Sequence, residues 1–241
     1  MKNAYLGQLP EKASLLVREI EEYSGRNIEV LPNPYPMSKT DPNPNGLACN
    51  VNEVSARILY RGNQIDTHAF THELLHIHRY WVRQVPQILP VSDPNGSNIQ
   101  VTSSIENALE HLVIVPEESQ YGFEPYSHWN NTSLRNWERF NPLIMNKFAI
   151  RKCCLLGYLT VANLVNNPEI VSMAESVIKK QGFLQKAKQM NTKITKYINS
   201  KDKQISCIVE FLKIPRKEAK LVYLDVKNGT RIEKEIGKFS G

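Results

Sequence analysis

Two histidines and a glutamate stand at a spacing that suits metal-dependent hydrolysis. They are His72, Glu73 and His76, which give the segment 71–77 the pattern H-E-x-x-H. Side chains four residues apart lie on the same face of a helix, so both imidazoles can reach one metal ion. Glu73 is rotated about 100° around the helix axis from His72, so it flanks the metal, where a general base belongs. The pattern predicts a Zn²⁺ site in which His72 and His76 are ligands and Glu73 is the catalytic base.

The residues around this motif predict an amphipathic helix over 65–83. Its apolar side chains recur at i, i+4, i+7 and i+11, which indicates a face directed at the core. These side chains are Phe70, Leu74, Ile77 and Trp81. The two motif histidines fall on the opposite side, together with His68, Arg79 and Arg83. A helix with one apolar face and one ligand-bearing face suits the floor of a cleft.

A zinc site needs a third protein ligand, and the next predicted helix, over 103–112, offers three candidates: Glu106, Glu110 and His111. Glu106 lies about 90° from the centre of the apolar stripe of that helix, and the other two lie about 130° from it on opposite sides. A metal ligand must point to the boundary between core and cleft. We therefore expect Glu106 to be the third ligand, with His111 as the first alternative and Glu110 as the second. Ser103 and Glu106 also have the spacing of a capping box, which is a purely structural role for this glutamate.

These segments resemble the ImmA/IrrE-type zinc metallopeptidases. The resemblance rests on Phe70–Ile77, on Glu106–Ala108 and on the apolar run that closes at Pro116, and it covers roughly residues 10–120. It implies a zincin-like hydrolase domain whose ligands are the two motif histidines and the glutamate that begins the second segment, with the motif glutamate as base. The chain differs from the usual family pattern in having Leu75 in place of glycine, and Glu-Asn-Ala in place of Glu-Ala-Asn.

A zinc peptidase also needs a donor for the oxyanion of the tetrahedral intermediate, a role that side chains such as Tyr, His or Arg fill. Tyr126, His128 and Arg79 qualify by residue type. The first two lie in the aromatic-rich stretch 121–129, which we expect to be a packed loop.

The first 61 residues predict a small α+β arrangement. We expect a helix over 10–24, a short strand over 27–31, a loop rich in proline and asparagine over 32–45 and an alternating strand over 54–60. The last strand is either an edge strand, which can hold an extended peptide by strand addition, or an internal strand of the sheet.

The rest of the chain predicts helices and a terminal β-hairpin. Four helices are expected, beginning near Asn141–Pro142 and Pro168 and then spanning 183–199 and 202–213. Asn228–Gly229 between two alternating segments is a hairpin signal. The predicted fold class is therefore α+β, with a zincin-like metallopeptidase domain over 1–120. A helical extension with a C-terminal hairpin follows over 121–241, and the two parts could pack as one unit.

Charge is unevenly distributed along the chain. The net charge is +6, yet the segment from Lys179 to the end holds 16 Lys and Arg against 6 Asp and Glu. Such a segment can attract nucleic acid or an acidic protein partner, and it is also typical of a solvated helix surface. The alternative to a peptidase is therefore a non-proteolytic regulatory or nucleic-acid-binding module on a zincin scaffold. The intact Glu73 argues against that alternative, because binding alone needs no general base.

Composition indicates a cytoplasmic protein without a membrane segment. The chain has 241 residues, of which 41% are hydrophobic, enough for one core and a smaller added unit. We find no apolar run of about 18 residues and no apolar region of a signal peptide near residue 1. The cysteines lack C-x-x-C spacing, which indicates reduced thiols. The expected substrate is a protein or peptide, such as a regulatory protein.

Overall fold

The computed structural model describes residues 7–33, 47–61, 66–92 and 96–239. Within these ranges the chain is a mixed α+β protein with eight α-helices and six strands in two small sheets. The helices are α1 (Glu11–Ser24), α2 (Thr67–Trp81), α3 (Ser97–Glu118), α4 (Tyr126–Glu138), α5 (Lys147–Leu164), α6 (Pro168–Lys180), α7 (Leu184–Lys196) and α8 (Lys201–Leu212). The strands are β1 (Ile28–Pro32), β2 (Ala48–Val51), β3 (Ala56–Tyr60), β4 (Gln87–Pro90), β5 (Ala219–Asp225) and β6 (Thr230–Glu235).

The chain packs as two compact units that are not consecutive in sequence. Unit 1 contains residues 1–86, 117–123 and 223–232, and unit 2 contains the remainder. These boundaries differ from the predicted division at residue 120. The reason lies in two continuous elements: the last two residues of α3 belong to unit 1, and the hairpin of β5 and β6 supplies residues to both units.

Unit 1 is built on the three-stranded sheet β1–β3–β2. Strand β3 lies in the centre, parallel to β1 and antiparallel to β2. The predicted strand over 54–60 is therefore the internal strand of the two possibilities, and β1 and β2 are the edge strands of this sheet among the described residues. Ala56 and Ile58 of β3 are fully buried, because alternate residues of this strand face the core. Helix α1 packs on α2 and ends at Gly25, whose φ of 65° is the left-handed conformation that glycine adopts readily.

Helix α2 carries the H-E-x-x-H motif, and its apolar face is confirmed. Phe70, Leu74, Ile77 and Trp81 are each at most 2% exposed. The helix begins one turn before the motif because the Asp66 carboxylate accepts hydrogen bonds from the backbone N–H groups of its first turn. Its C-terminal end is tied to the sheet, since the Trp81 indole N–H donates to the Asn52 carbonyl at 2.8 Å. The motif is thus held on a rigid element with a defined start and end.

Helix α3 is longer than expected in both directions. It begins at Ser97, so Ser103 lies inside the helix and the predicted capping box at Ser103 and Glu106 is wrong. It also continues past Pro116 to Glu118. Proline costs the helix one backbone hydrogen bond, from its own missing N–H to the carbonyl four residues earlier, but the residues after it can still donate to carbonyls of the preceding turn. The two residues beyond the proline therefore stay on the helix.

Unit 2 is mainly helical. Helix α5 packs against α4, α6, α7 and α8, and its buried residues include Cys154, Leu155 and Leu159. The prediction of a packed aromatic loop over 121–129 is wrong from Tyr126 onward, because Tyr126 is the first residue of α4. Helix α7 buries Ala187, Met190 and Ile194, so its many lysines lie on or beside the solvent face of an amphipathic helix.

The predicted C-terminal hairpin is confirmed. Strand β5 pairs with β6 and also, antiparallel, with β4, so that Gln87 lies opposite Val222 and Pro90 lies opposite Ala219. Gly229 in the turn has a φ of 65°, the left-handed conformation that glycine adopts readily. Most of the predicted loop over 32–45 lies outside the described residues. No helix in the described ranges is both long and apolar enough to span a membrane.

Candidate metal centre

The two motif histidines lie side by side on α2. Ring nitrogens of His72 and His76 approach within 4.8 Å of each other, and the ring centroids are 5.0 Å apart with a 77° angle between the ring planes. Zinc–imidazole bonds are about 2.0–2.1 Å long, so one ion joins nitrogens at most about 4.2 Å apart, and rotation of the two rings can bring this pair within that distance. His76 is buried and His72 is about one-fifth exposed, which leaves the pair at the margin of the core.

A buried carboxylate holds His72 in one orientation. Glu118, only 2% exposed, accepts the Nδ1–H of His72 on Oε1 at 2.5 Å. Its other oxygen, Oε2, accepts the Nε2–H of His68 at 2.7 Å. A hydrogen bond from Nδ1 to a carboxylate fixes the neutral tautomer whose lone pair is on Nε2, and that is the form that binds a metal. The contact therefore makes His72 a prepared ligand.

The electrostatics of Glu118 agree with this role. Burial by itself raises the pKa of the Glu118 carboxyl, but the hydrogen bonds from His68 and His72 outweigh it and leave the pKa below its ordinary value. Phe123 stacks on the His68 ring, with centroids 4.6 Å apart and ring planes 8° from parallel. The stacking holds His68 where it donates to Glu118. Both carboxylate oxygens of Glu118 therefore accept a hydrogen bond from a histidine.

Glu73 lies off the histidine face, as predicted. Its Oε2 accepts a hydrogen bond from the backbone N–H of Cys49 at 2.8 Å, on the edge strand β2. Its other oxygen, Oε1, has no hydrogen bond to the described part of the chain. A carboxylate anchored through one oxygen is positioned, and the second oxygen can still accept a proton.

The predicted third ligand, Glu106, occupies a different kind of site. Within unit 2, its carboxylate forms a short ion pair with the Lys201 ammonium and accepts the backbone N–H of Ile88 at 3.0 Å. Glu110 pairs with the same ammonium at 2.6 Å. Lys201 and Glu110 are almost fully buried. Both glutamates therefore already balance a buried cation, and a metal would have to compete with it. The ligand role of Glu106 stays a prediction.

The third candidate, His111, lies on the same face of α3 as Glu118. The two residues are seven positions apart, which is two turns of a continuous helix. Within unit 2 the His111 ring lies 4.7 Å from the Trp129 ring, measured between centroids. His111 thus shares a helix face with the carboxylate that orients His72.

The structure places the three candidate oxyanion donors in different surroundings. Arg79 is buried in α2, three residues after His76. Tyr126 begins α4, where its backbone N–H donates to Glu124. His128, two residues further, is exposed, and its Nε2 lies 3.4 Å from the Thr132 hydroxyl. Their catalytic role stays a prediction.

Sequence reasoning missed Glu118 and the role of His68. His68 falls on the predicted ligand-bearing face, but the sequence indicates no partner for it. The motif contains no signal for Glu118, which is 46 residues after His72. The available clue was the position of Glu118 seven residues after His111, and it is visible only if the helix continues beyond Pro116.

Comparisons with other proteins give no family for this chain: no family model, curated protein or solved structure matches it. The resemblance of the motif helix to the ImmA/IrrE-type peptidases stays a prediction.

Proposed function

We propose that this protein is a zinc-dependent metallopeptidase. The donor set fits zinc, because it offers two imidazoles one helical turn apart, a carboxylate behind one of them and a second carboxylate beside the pair. Zinc, when bound, acts as a Lewis acid that polarises the scissile carbonyl and makes water more acidic.

One observation carries the proposal: the Glu118 carboxylate holds Nδ1 of His72 at 2.5 Å. A histidine on an ordinary surface helix has no need of a buried anion behind it. The burial of that anion is unfavourable unless it is paired, and here it is paired with two imidazoles on the motif helix. The buried carboxylate of Glu118 therefore keeps the proton of His72 on Nδ1 and its lone pair on Nε2.

Glu73 is the general base in this proposal. The Cys49 N–H holds Oε2, so Oε1 is the atom that takes a proton from the attacking water. The same carboxyl group then delivers that proton to the amine that leaves when the peptide bond breaks. Each proton is accounted for by one side chain, as expected of an H-E-x-x-H hydrolase.

His111 is the third ligand that we favour. Glu106 and Glu110 both neutralise Lys201, and removal of either carboxylate from that ammonium would leave a buried charge less well paired. His111 lies two turns before Glu118 on one helix, so the two side chains leave the helix on the same face. Glu118 is the residue that contacts His72. This choice replaces the glutamate that the family resemblance implies.

We propose a protein or peptide substrate and a zincin-like fold for unit 1. Strand β2 is one of the two edges of its sheet among the described residues, and Glu73 accepts a hydrogen bond from the backbone of that strand. An extended peptide that adds to such an edge would lie beside the general base. This arrangement favours a polypeptide over a small molecule.

The test compares three forms of the full-length protein: wild type, Glu73→Gln and His72→Ala. Each is loaded with zinc and incubated with a mixture of peptides from a proteome digest, and new termini are counted by mass spectrometry. We expect Glu73→Gln to retain zinc and lose cleavage, and His72→Ala to lose both. Cleavage by Glu73→Gln at the wild-type rate would contradict the proposal.

The alternative, a nucleic-acid-binding or acidic-partner module, has weaker support. Basic side chains such as Lys188 and Lys196 are exposed on α7, opposite its buried residues, which is how a solvated helix surface is arranged. Binding of the full-length protein to DNA with a steep dependence on salt would support this alternative.

A further inference from the structure

Unit 2 contains a cavity of about 520 Å³ between α3, α4 and α5. Cavities that bind ligands are usually about 300–1,000 Å³ in volume. Three aromatic side chains, Trp129, Trp137 and Phe140, contribute to its lining. The Trp137 and Phe140 rings lie 5.7 Å apart between centroids, so they line a common apolar surface.

Small residues keep this cavity open. Ala108 of α3 and Gly157 of α5 belong to its lining. A Cβ atom at Gly157 would lie 2.7 Å from Cζ2 of Trp137, closer than real Cβ atoms come to a neighbour. Glycine at this position therefore allows the Trp137 indole to approach the backbone of α5 closely. The aromatic wall depends on that close approach.

Polar groups in the lining limit what the cavity accepts. Asn107 and Asn136 are exposed and offer amide donors and acceptors suited to a peptide backbone. Lys152 places an ammonium in the lining, where it lies 3.4 Å from the Ser104 hydroxyl. A positive charge beside an aromatic cavity disfavours basic occupants and tolerates neutral ones.

We propose that this cavity binds a large aromatic side chain of a polypeptide. The cavity therefore discriminates in favour of phenylalanine, tyrosine or tryptophan and against lysine, arginine and small residues.

Binding is measured first, by NMR of the indole N–H groups in the full-length protein. The probe is N-acetyl-L-phenylalaninamide, and the alanine and lysine analogues are controls. The chain has three tryptophans, and Trp81, whose indole is bonded to Asn52 in unit 1, is an internal reference. We expect the signals of Trp129 and Trp137 to shift while that of Trp81 stays. Equal shifts of all three signals, or none, would overturn the proposal.

Filling the cavity tests its location. Ala108→Leu and Thr160→Leu each add side-chain volume, from α3 and α5 respectively. Ala162→Leu is the matched control, because Ala162 lies on the exposed side of α5. We expect each filled variant to bind the probe about tenfold more weakly or worse, and the control to bind normally. The use of two independent variants keeps the test valid if one of them does not fold.

Discussion

Nδ1 of His72 and Oε1 of Glu118 are 2.5 Å apart, although 46 residues separate them in the chain. The contact joins the motif helix to the last turn of α3, beyond its proline. The contact fixes the tautomer of His72, so one of the two motif histidines is already in the form that binds a metal.

Replacement of Glu118 should weaken zinc binding without removing a ligand. We expect Glu118→Gln to lower the zinc affinity by about 10–100-fold, the usual cost of losing a carboxylate behind a metal-binding histidine. The measurement is competition with a chelator of known affinity. The matched control is Glu117→Gln, one residue earlier, because that carboxylate pairs with Arg83 and touches neither histidine. Equal zinc affinities of the two variants would show that Glu118 does not prepare His72.

The third ligand can be assigned by a pair of substitutions. We expect His111→Ala to weaken zinc binding by about tenfold or more. Loss of a ligand should cost at least as much affinity as loss of a residue that hydrogen-bonds to a ligand. Glu106→Ala should leave zinc affinity nearly unchanged and instead lower the stability of unit 2, since it takes one of two carboxylates from Lys201. The opposite pattern would restore Glu106 as the ligand, in agreement with the family resemblance.

Loss of the Lys201 ammonium should be strongly destabilising. Lys201→Met leaves two carboxylates, one of them fully buried, without their cation. Removal of one partner from a buried ion pair typically costs about 3–5 kcal/mol, and denaturant unfolding will measure it. Lys203→Met is the control, because Lys203 is exposed on the same helix. Combining Lys201→Met with Glu106→Gln and Glu110→Gln should recover part of the loss, and no recovery would argue against a charge-based cause.

The cysteines should differ widely in reactivity. Burial raises the pKa of the Cys154 thiol to about 12 and that of Cys207 to about 11, from an ordinary value of 9.0. The thiolate is the reacting form, so both should resist iodoacetamide at pH 8, and Cys49, which is only partly buried, should react before them. Because these pKa values are raised on folding, the unfolded chain releases its protons at lower pH, and the free energy of unfolding falls as the pH rises above about 9. Mass spectrometry of the labelled native and unfolded protein gives the order in which the cysteines react. Rapid labelling of Cys154 or Cys207 in the native protein would contradict this prediction.

Much of the local structure could be predicted from the sequence because periodicity reports burial directly. The spacing of Phe70, Leu74, Ile77 and Trp81 defines the apolar face of α2, and all four are buried. Asn228–Gly229 marks the hairpin turn, in which Gly229 has the positive φ that glycine adopts readily.

The errors arose where long-range packing overrides local signals. Pro116 is a helix-breaking residue by propensity, yet α3 continues for two residues, and those residues include the carboxylate that contacts His68 and His72. The ion pair of Glu106 with Lys201 joins positions 95 residues apart, so no local pattern could reveal it. The position of Glu106 around the helix axis limits which residues can lie near it, but it does not determine which of them is its partner.

Elemental analysis of purified protein, prepared without chelator, tests the central claim most directly. We expect one zinc ion per wild-type chain, less than a tenth of that in His72→Ala and His76→Ala, and full occupancy in Glu73→Gln. Circular dichroism will show that the variants are folded. Wild-type protein without stoichiometric zinc, or zinc that remains after both histidines are replaced, would contradict the account.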